Sequence, residues 1–276
     1  MEPVEIDTAR LAPPQEPLAS AAIAPAWHTL VLLAGIVALS IHGVSRFSAA
    51  HEPMNRLYTY GFTAILDLGM LAWVVFGLYL KRIPLSSLLG VFSFNFRSVA
   101  MDLGIAAVFW FGSLMVLGSL SLTWSGVETA LTHRTSPPHA ASKAERVPAP
   151  NPARLKSLHA LAELAPANRI EIAAWVLLCL LVGFVEEVVF RGYLQRQFIG
   201  LARNGITMGV LASAIVFGGA HAYQGVRGMA LLTVFGILFG VLALYRRSLR
   251  AGIFAHSWHD LIAGLTLALL RSNHII

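Results

Sequence analysis

Apolar residues along this chain of 276 residues gather in seven runs, at positions 29–44, 57–80, 99–124, 170–190, 206–222, 226–245 and 249–270. A helix that crosses the ~30 Å hydrocarbon core of a bilayer needs about 20 residues. Each run therefore predicts one spanning helix, the first needing its flanks to reach that length. The expected fold is all-α: a polytopic membrane helix bundle of about seven transmembrane helices.

Between the runs the composition changes, and the changes mark expected domain limits. Residues 1–25 carry Glu2, Glu5, Asp7 and Glu16 against Arg10, together with Pro3, Pro13, Pro14, Pro17 and Pro25. That stretch reads as a disordered tail, without the basic start of a signal peptide. Residues 26–124 form a three-span segment, in which positions 83–97, with Pro84, Phe92, Phe94, Phe96 and Arg97, make an interfacial connection. Residues 125–168, punctuated by Pro137, Pro138, Pro148, Pro150 and Pro152, read as a flexible linker whose positions 153–164 can form a short amphipathic helix. Residues 169–276 carry the remaining four spans.

Composition agrees with a bilayer as solvent: 57% of residues are hydrophobic, 12% are charged and the mean hydropathy is +0.69. The net charge of +6 and the pI near 9.9 do not indicate nucleic acid, because the basic residues cluster between the runs. Counted over the short segments, leaving out the six basic residues of the long connection before the fourth run, nine (Arg10, Lys81, Arg82, Arg97, Arg196, Arg203, Arg246, Arg247, Arg250) fall on the amino-terminal side and four (Arg46, Arg56, Arg227, Arg271) on the other. This excess predicts a cytoplasmic amino terminus. The single cysteine, Cys179, excludes an intrachain disulfide and reads as a small packed hydrophobe.

Polar groups inside the runs carry the chemistry, since a charge at such depth costs at least ~2.5–3.5 kcal/mol and is normally paired or functional. Glu186, Glu187 and Arg191 interrupt the fourth run. At roughly 100° per residue, Glu187 and Arg191 share a helix face and pair, whereas Glu186 lies about 140° from Arg191 and stays available as a base. The fifth run ends on Phe217-Gly218-Gly219-Ala220-His221, and the seventh contains His256-Ser257-Trp258-His259-Asp260 with His256 and Asp260 on one side. Helix rise places Glu186 about 11 Å, His256 about 10 Å and His221 about 18 Å from the cytoplasmic surface, which makes His221 the most distant member of a shared cavity. His259 and His42 are expected to pack or to lie at the interface, Asp67 in the second run to make a structural hydrogen bond, and Gly236 and Gly240 to let helices approach closely.

A carboxylate base, two imidazoles and a second carboxylate around one cavity admit two chemistries. They can hold and deprotonate a water that attacks an amide, with a histidine stabilising the oxyanion. Alternatively Glu186, His221, His256 and Asp260 can ligate Zn2+ or another divalent metal; the reaction can equally need none. The His-Glu-x-x-His zinc pattern is absent from the sequence.

Taken in order, Glu186-Glu187-Val-Val-Phe-Arg191, Phe217-Gly-Gly-Ala-His221 and His256-Ser-Trp-His-Asp260 resemble the motifs of the CPBP family of intramembrane proteases. That family includes the Ras-converting CAAX endopeptidases and bacteriocin-processing and immunity proteins. The resemblance covers residues 170–270 and implies an intramembrane endopeptidase of a bacterial cytoplasmic membrane. Its partners would be membrane lipid and a membrane-associated or lipidated peptide. It further implies that Glu186 activates the water, that His221 and His256 position it or stabilise the oxyanion, and that Arg191 holds Glu187. Asp260 departs from the asparagine of the best-known eukaryotic members, and its extra negative charge keeps a bound cation open. The competing expectations are a noncatalytic membrane scaffold or immunity factor of the same fold and, third, a proton-coupled transporter that uses Asp67.

Overall fold

The computed structural model describes residues 22–49, 55–90, 95–135 and 161–273. Every apolar run is helical: α1 (Ala26–Ala49), α2 (Arg56–Leu80), α4 (Phe96–Thr135), α5 (Arg169–Glu186), α7 (Ile206–Ala220), α8 (Gly225–Arg246) and α9 (Arg250–Ser272). A short α3 (Ser86–Leu89) lies in the connection after α2, and α6 (Gln195–Leu201) extends α5 through the π-helical turn Glu187–Leu194. Six of these helical stretches are long and apolar enough to cross a membrane. The remaining one, α7, has 15 residues. It stops at Ala220 because Gly218 and Gly219 give it little helical propensity there; the chain then turns through His221 and the 3₁₀ segment Ala222–Gln224.

Helix ends meet in the alternating order of an up-and-down bundle. At one end Asp102, near the start of α4, receives Arg246 from α8 at 2.7 Å and Arg250 from the start of α9. At the other end, Arg56 at the start of α2 pairs with Glu163 at 3.3 Å, and Arg271 near the end of α9 donates to the carbonyls of Ala162, Ala165 and Pro166. Large apolar side chains such as Val108, Met115, Leu122 and Tyr245 face outward, as lipid contact requires. The protein is a multi-pass helical membrane bundle.

Three expected limits move. Of the tail expected over residues 1–25, positions 1–21 lie outside the described residues, but Ile23 and Ala24 are buried. Ala24 exchanges backbone hydrogen bonds of 3.0 and 2.8 Å with the Gln197 amide, so this end of the tail is docked on α6. The expected linker begins later than residue 125, because 125–135 contains no proline and continues α4 to Thr135. Residues 136–160, with most of the amphipathic helix expected over 153–164, lie outside the described residues. The last linker positions are pinned: the Leu164 carbonyl accepts from the Tyr60 hydroxyl at 2.5 Å.

The centre of the bundle is the π-helical turn, all eight of whose residues are buried. A wider turn leaves backbone groups out of the regular ladder, and buried carbonyls need donors. Ser213 on α7 supplies one, donating to the Phe190 carbonyl at 2.6 Å. Close helix contacts surround the turn. Gly236 of α8 has room only for hydrogen against Ala214, and Gly240 carries the Gln195 amide on its carbonyl at 3.1 Å. Thus the Gly236–Gly240 spacing packs α8 against α7 and also holds the π turn. Gly90, at φ +80°, touches the Arg247–Ser248 backbone and ties the α3 loop to the α8–α9 turn, a conformation and approach that favour glycine.

Candidate active site

Glu186 ends the regular part of α5, and the π turn starts at Glu187. The two adjacent carboxylates consequently meet different surroundings. Glu187 has 1% of its side chain exposed and lies 3.1 Å from the Arg191 guanidinium, in the pairing expected from their spacing. Arg191, equally buried, lies over the Phe217 ring at 4.2 Å and near Phe239 at 5.2 Å, so its charge is balanced by one carboxylate and two ring faces. Glu186 keeps 13% of its side chain accessible, and its Oε2 makes no hydrogen bond among the described residues.

His256 joins the two acids. Its Nδ1 lies 3.0 Å from Glu187 Oε1, while Nε2 stands 3.5 Å from Glu186 and 3.7 Å from Asp260. Helix α9 reaches this position through small residues. A Cβ on Gly252 would stand 2.9 Å from Glu187 Oε2, and one on Gly183 would stand 2.9 Å from the Ser257 amide nitrogen. Because Glu187 is ionically paired, the bond to it is best read as Nδ1–H donating to the carboxylate. Nε2 then points at the open side of the cluster, toward Glu186 and Asp260. Asp260, with 28% of its side chain accessible, lies at the rim.

His221 caps the end of α7 and stands apart from this group. Its Nδ1 is 2.9 Å from the Phe217 carbonyl. A carbonyl only accepts, so Nδ1 carries the hydrogen and Nε2 of the neutral ring presents a lone pair. The Phe217 ring separates the two imidazoles, with its centroid 4.8 Å from His221 and 6.0 Å from His256. Phe217, which contacts both imidazoles, places His221 on the same side of the bundle as His256. His259 packs on Phe235 at 4.8 Å.

Five of the six predicted residues, Glu186, Glu187, Arg191, His256 and Asp260, therefore form one contiguous cluster, and His221 faces it across a single ring. Among the described residues, no group of three or more His, Cys, Asp and Glu is arranged to hold an ion. A separate apolar groove beside the end of α2, lined by Leu78, Tyr79, Arg82 and Pro84, contains none of the predicted residues.

Sequence reasoning missed the supports of the cluster. Gly183 and Gly252 were legible only as glycines in apolar runs, with nothing to pair them with Ser257 and Glu187. Asp102 was a stronger omission, because an acid at the start of an apolar run is subject to the same reasoning as Glu186. It binds Arg246 and Arg250, which from sequence alone read as interfacial positive charge.

Residues 168–262 match the family model described as Rce1-like, type II CAAX prenyl endopeptidase. The matched region contains all six predicted site residues and agrees with the resemblance drawn from the three motifs. No curated protein and no solved structure matches the chain significantly.

Proposed function

Proceeding from the likeness of residues 168–262 to the type II CAAX prenyl endopeptidases, we propose that this protein is a glutamate-dependent intramembrane endopeptidase. Its substrate class is a membrane-associated peptide bearing a lipid, a CAAX-type prenylated peptide being the form that the family's name indicates. The observation that carries the reading is the contrast between neighbours. Glu187 is 1% exposed and paired with Arg191, whereas Glu186 keeps 13% of its side chain accessible, and its buried Oε2 stands 3.5 Å from the His256 imidazole without a hydrogen bond among the described residues.

In the proposed reaction Glu186 takes a proton from a water, and the resulting hydroxide attacks the scissile carbonyl carbon. The carbonyl oxygen becomes an oxyanion, and His256 Nε2–H donates to it. Glu187 holds the other imidazole nitrogen, while Arg191 pairs with Glu187 and orients it. Collapse of the tetrahedral intermediate breaks the C–N bond. The proton held by Glu186 passes to the leaving amine, yielding a carboxylate and a free amino terminus. His221, with Nε2 as acceptor, orients the peptide through an N–H, and Asp260 stabilises the charged imidazole from the rim. The amino terminus lies on the cytoplasmic side, consistent with Arg246, Arg250 and Arg196 falling at one end of the bundle.

The test is cleavage of a prenylated Cys-a-a-X peptide by the purified full chain in lipid vesicles, with the unprenylated peptide as comparison. Release of the carboxyl-terminal fragment from the prenylated peptide supports the reading. Tight peptide binding without turnover would favour the noncatalytic scaffold.

A further inference from the structure

Asp67 was expected to make a structural hydrogen bond, and its Oδ2 makes none among the described residues. The residue is 4% exposed. A carboxylate stripped of water without a partner is costly, so its surroundings decide what it is for.

Helix register locates it. The Tyr60 ring lies 5.3 Å from Trp175, and Arg56 at the start of α2 meets Glu171 at the start of α5. At the other end of α2, the His28 ring rests against Gly77 and bonds the Tyr193 hydroxyl of the π turn at 2.8 Å. Helices α2 and α5 are therefore parallel. Seven residues beyond Tyr60, about 10.5 Å of rise, bring Asp67 level with positions 182–183 of α5. Helix α9 runs the opposite way, with Gly264 against Trp175 and Ser257 against Gly183. Asp67 thus enters at the height of Ser257, the neighbour of His256. In agreement, it interacts electrostatically with Glu186, His256 and Asp260.

We propose that Asp67 is a further residue of this site, orienting the attacking water: its free Oδ2 accepts one hydrogen of the water whose other hydrogen Glu186 removes. This inference rests on the proteolytic reading above and adds a residue from outside the matched region. The two acids approach the water from different helices, α2 and α5, and together they leave its lone pair directed at the carbonyl carbon.

The experiment measures cleavage and thermal unfolding of the full chain carrying Asp67→Leu, Asp67→Asn or Glu186→Gln, and Asp67→Asn combined with Glu186→Gln. Asp67→Leu removes an unpaired buried acid, so its unfolding midpoint should equal or exceed that of the unsubstituted protein. Its kcat should fall by about tenfold with KM within about twofold, the loss of one hydrogen bond. Asp67→Asn, which retains a carbonyl acceptor, should fall less than Asp67→Leu. A residue that only packs would leave kcat unchanged, and an unchanged kcat in Asp67→Leu overturns the proposal. Should Asp67→Leu not fold, Asp67→Ala, which also removes the acceptor, decides it in the same way. If Glu186→Gln is inactive while Asp67→Leu is fully active, this inference fails and the proteolytic reading stands. If Glu186→Gln remains active, that reading fails, and the unfolding midpoints still decide whether the two acids meet: non-additive shifts in the double variant support the contact, and additive shifts overturn it.

Discussion

The Nδ1 atom of His256 lies 3.0 Å from Oε1 of Glu187, so one hydrogen bond fixes α9 to the π-helical turn and aims the opposite ring nitrogen at Glu186. Glu187 is at the same time the partner of Arg191. Removing one member of such a buried pair leaves a charge without compensation, at a cost of about 3–5 kcal/mol. Glu187→Gln and Arg191→Gln should each destabilise by that order, and the double substitution should cost less than the sum. Thermal or denaturant unfolding in detergent checks this, and a mild, additive pair of effects would contradict it.

Close approach of α9 to α5 depends on two glycines. Gly252→Ala would place a methyl 2.9 Å from Glu187 Oε2, and Gly183→Ala one 2.9 Å from the Ser257 amide nitrogen. Each should destabilise by about 1–3 kcal/mol. Gly252→Ala should also slow turnover of the folded protein, because it displaces the carboxylate that holds His256. Gly219→Ala is the comparison: a Cβ there meets nothing within 4 Å, so stability should change by no more than about 0.5 kcal/mol.

Asp102 carries the ionic clamp between α4, α8 and the start of α9. Asp102→Asn leaves Arg250, 4% exposed, without its carboxylate, and should lower stability by about 3–5 kcal/mol. The folded fraction should keep its cleavage rate, since Asp102 belongs to the clamp at the helix ends and to no step of the reaction. Comparing the unfolding midpoint with turnover per folded molecule separates the two effects.

The motifs were legible because spacing on a helix determines which side chains share a face. The pairs Glu187–Arg191 and His256–Asp260 follow from i, i+4 geometry alone, and the apolar runs located the seven longer helices. What the pattern could not reveal is how the helices meet. Residues 187–194 have the composition of an ordinary helix, and the wider turn there depends on donors such as Ser213, supplied by another helix. Asp67 shows the same limit: seven residues from Tyr60 it is an isolated acid in sequence, and only the contact of Tyr60 with Trp175 gives it a height in the bundle. Ile23 and Ala24, in a Pro-rich stretch, gave no sign of docking because the Gln197 amide that receives Ala24 lies far along the chain.

Metal dependence is checked by chelation. In the proposed reaction Glu186 takes the proton from water, so exhaustive dialysis against a divalent-metal chelator should leave the cleavage rate unchanged. A loss of turnover that added Zn2+ restores would replace the carboxylate base by a metal-activated water.

The most direct measurement is the cleavage rate of Glu186→Gln in lipid vesicles, alongside the unsubstituted protein and with its unfolding midpoint recorded. Glutamine retains the size of the side chain and removes its basicity. The expected result is a rate lowered by about 100-fold or more in a protein as stable as the original, since Glu186 Oε2 holds no hydrogen bond that the fold would miss. Cleavage at the original rate by the folded variant would show that a group other than Glu186 activates the water.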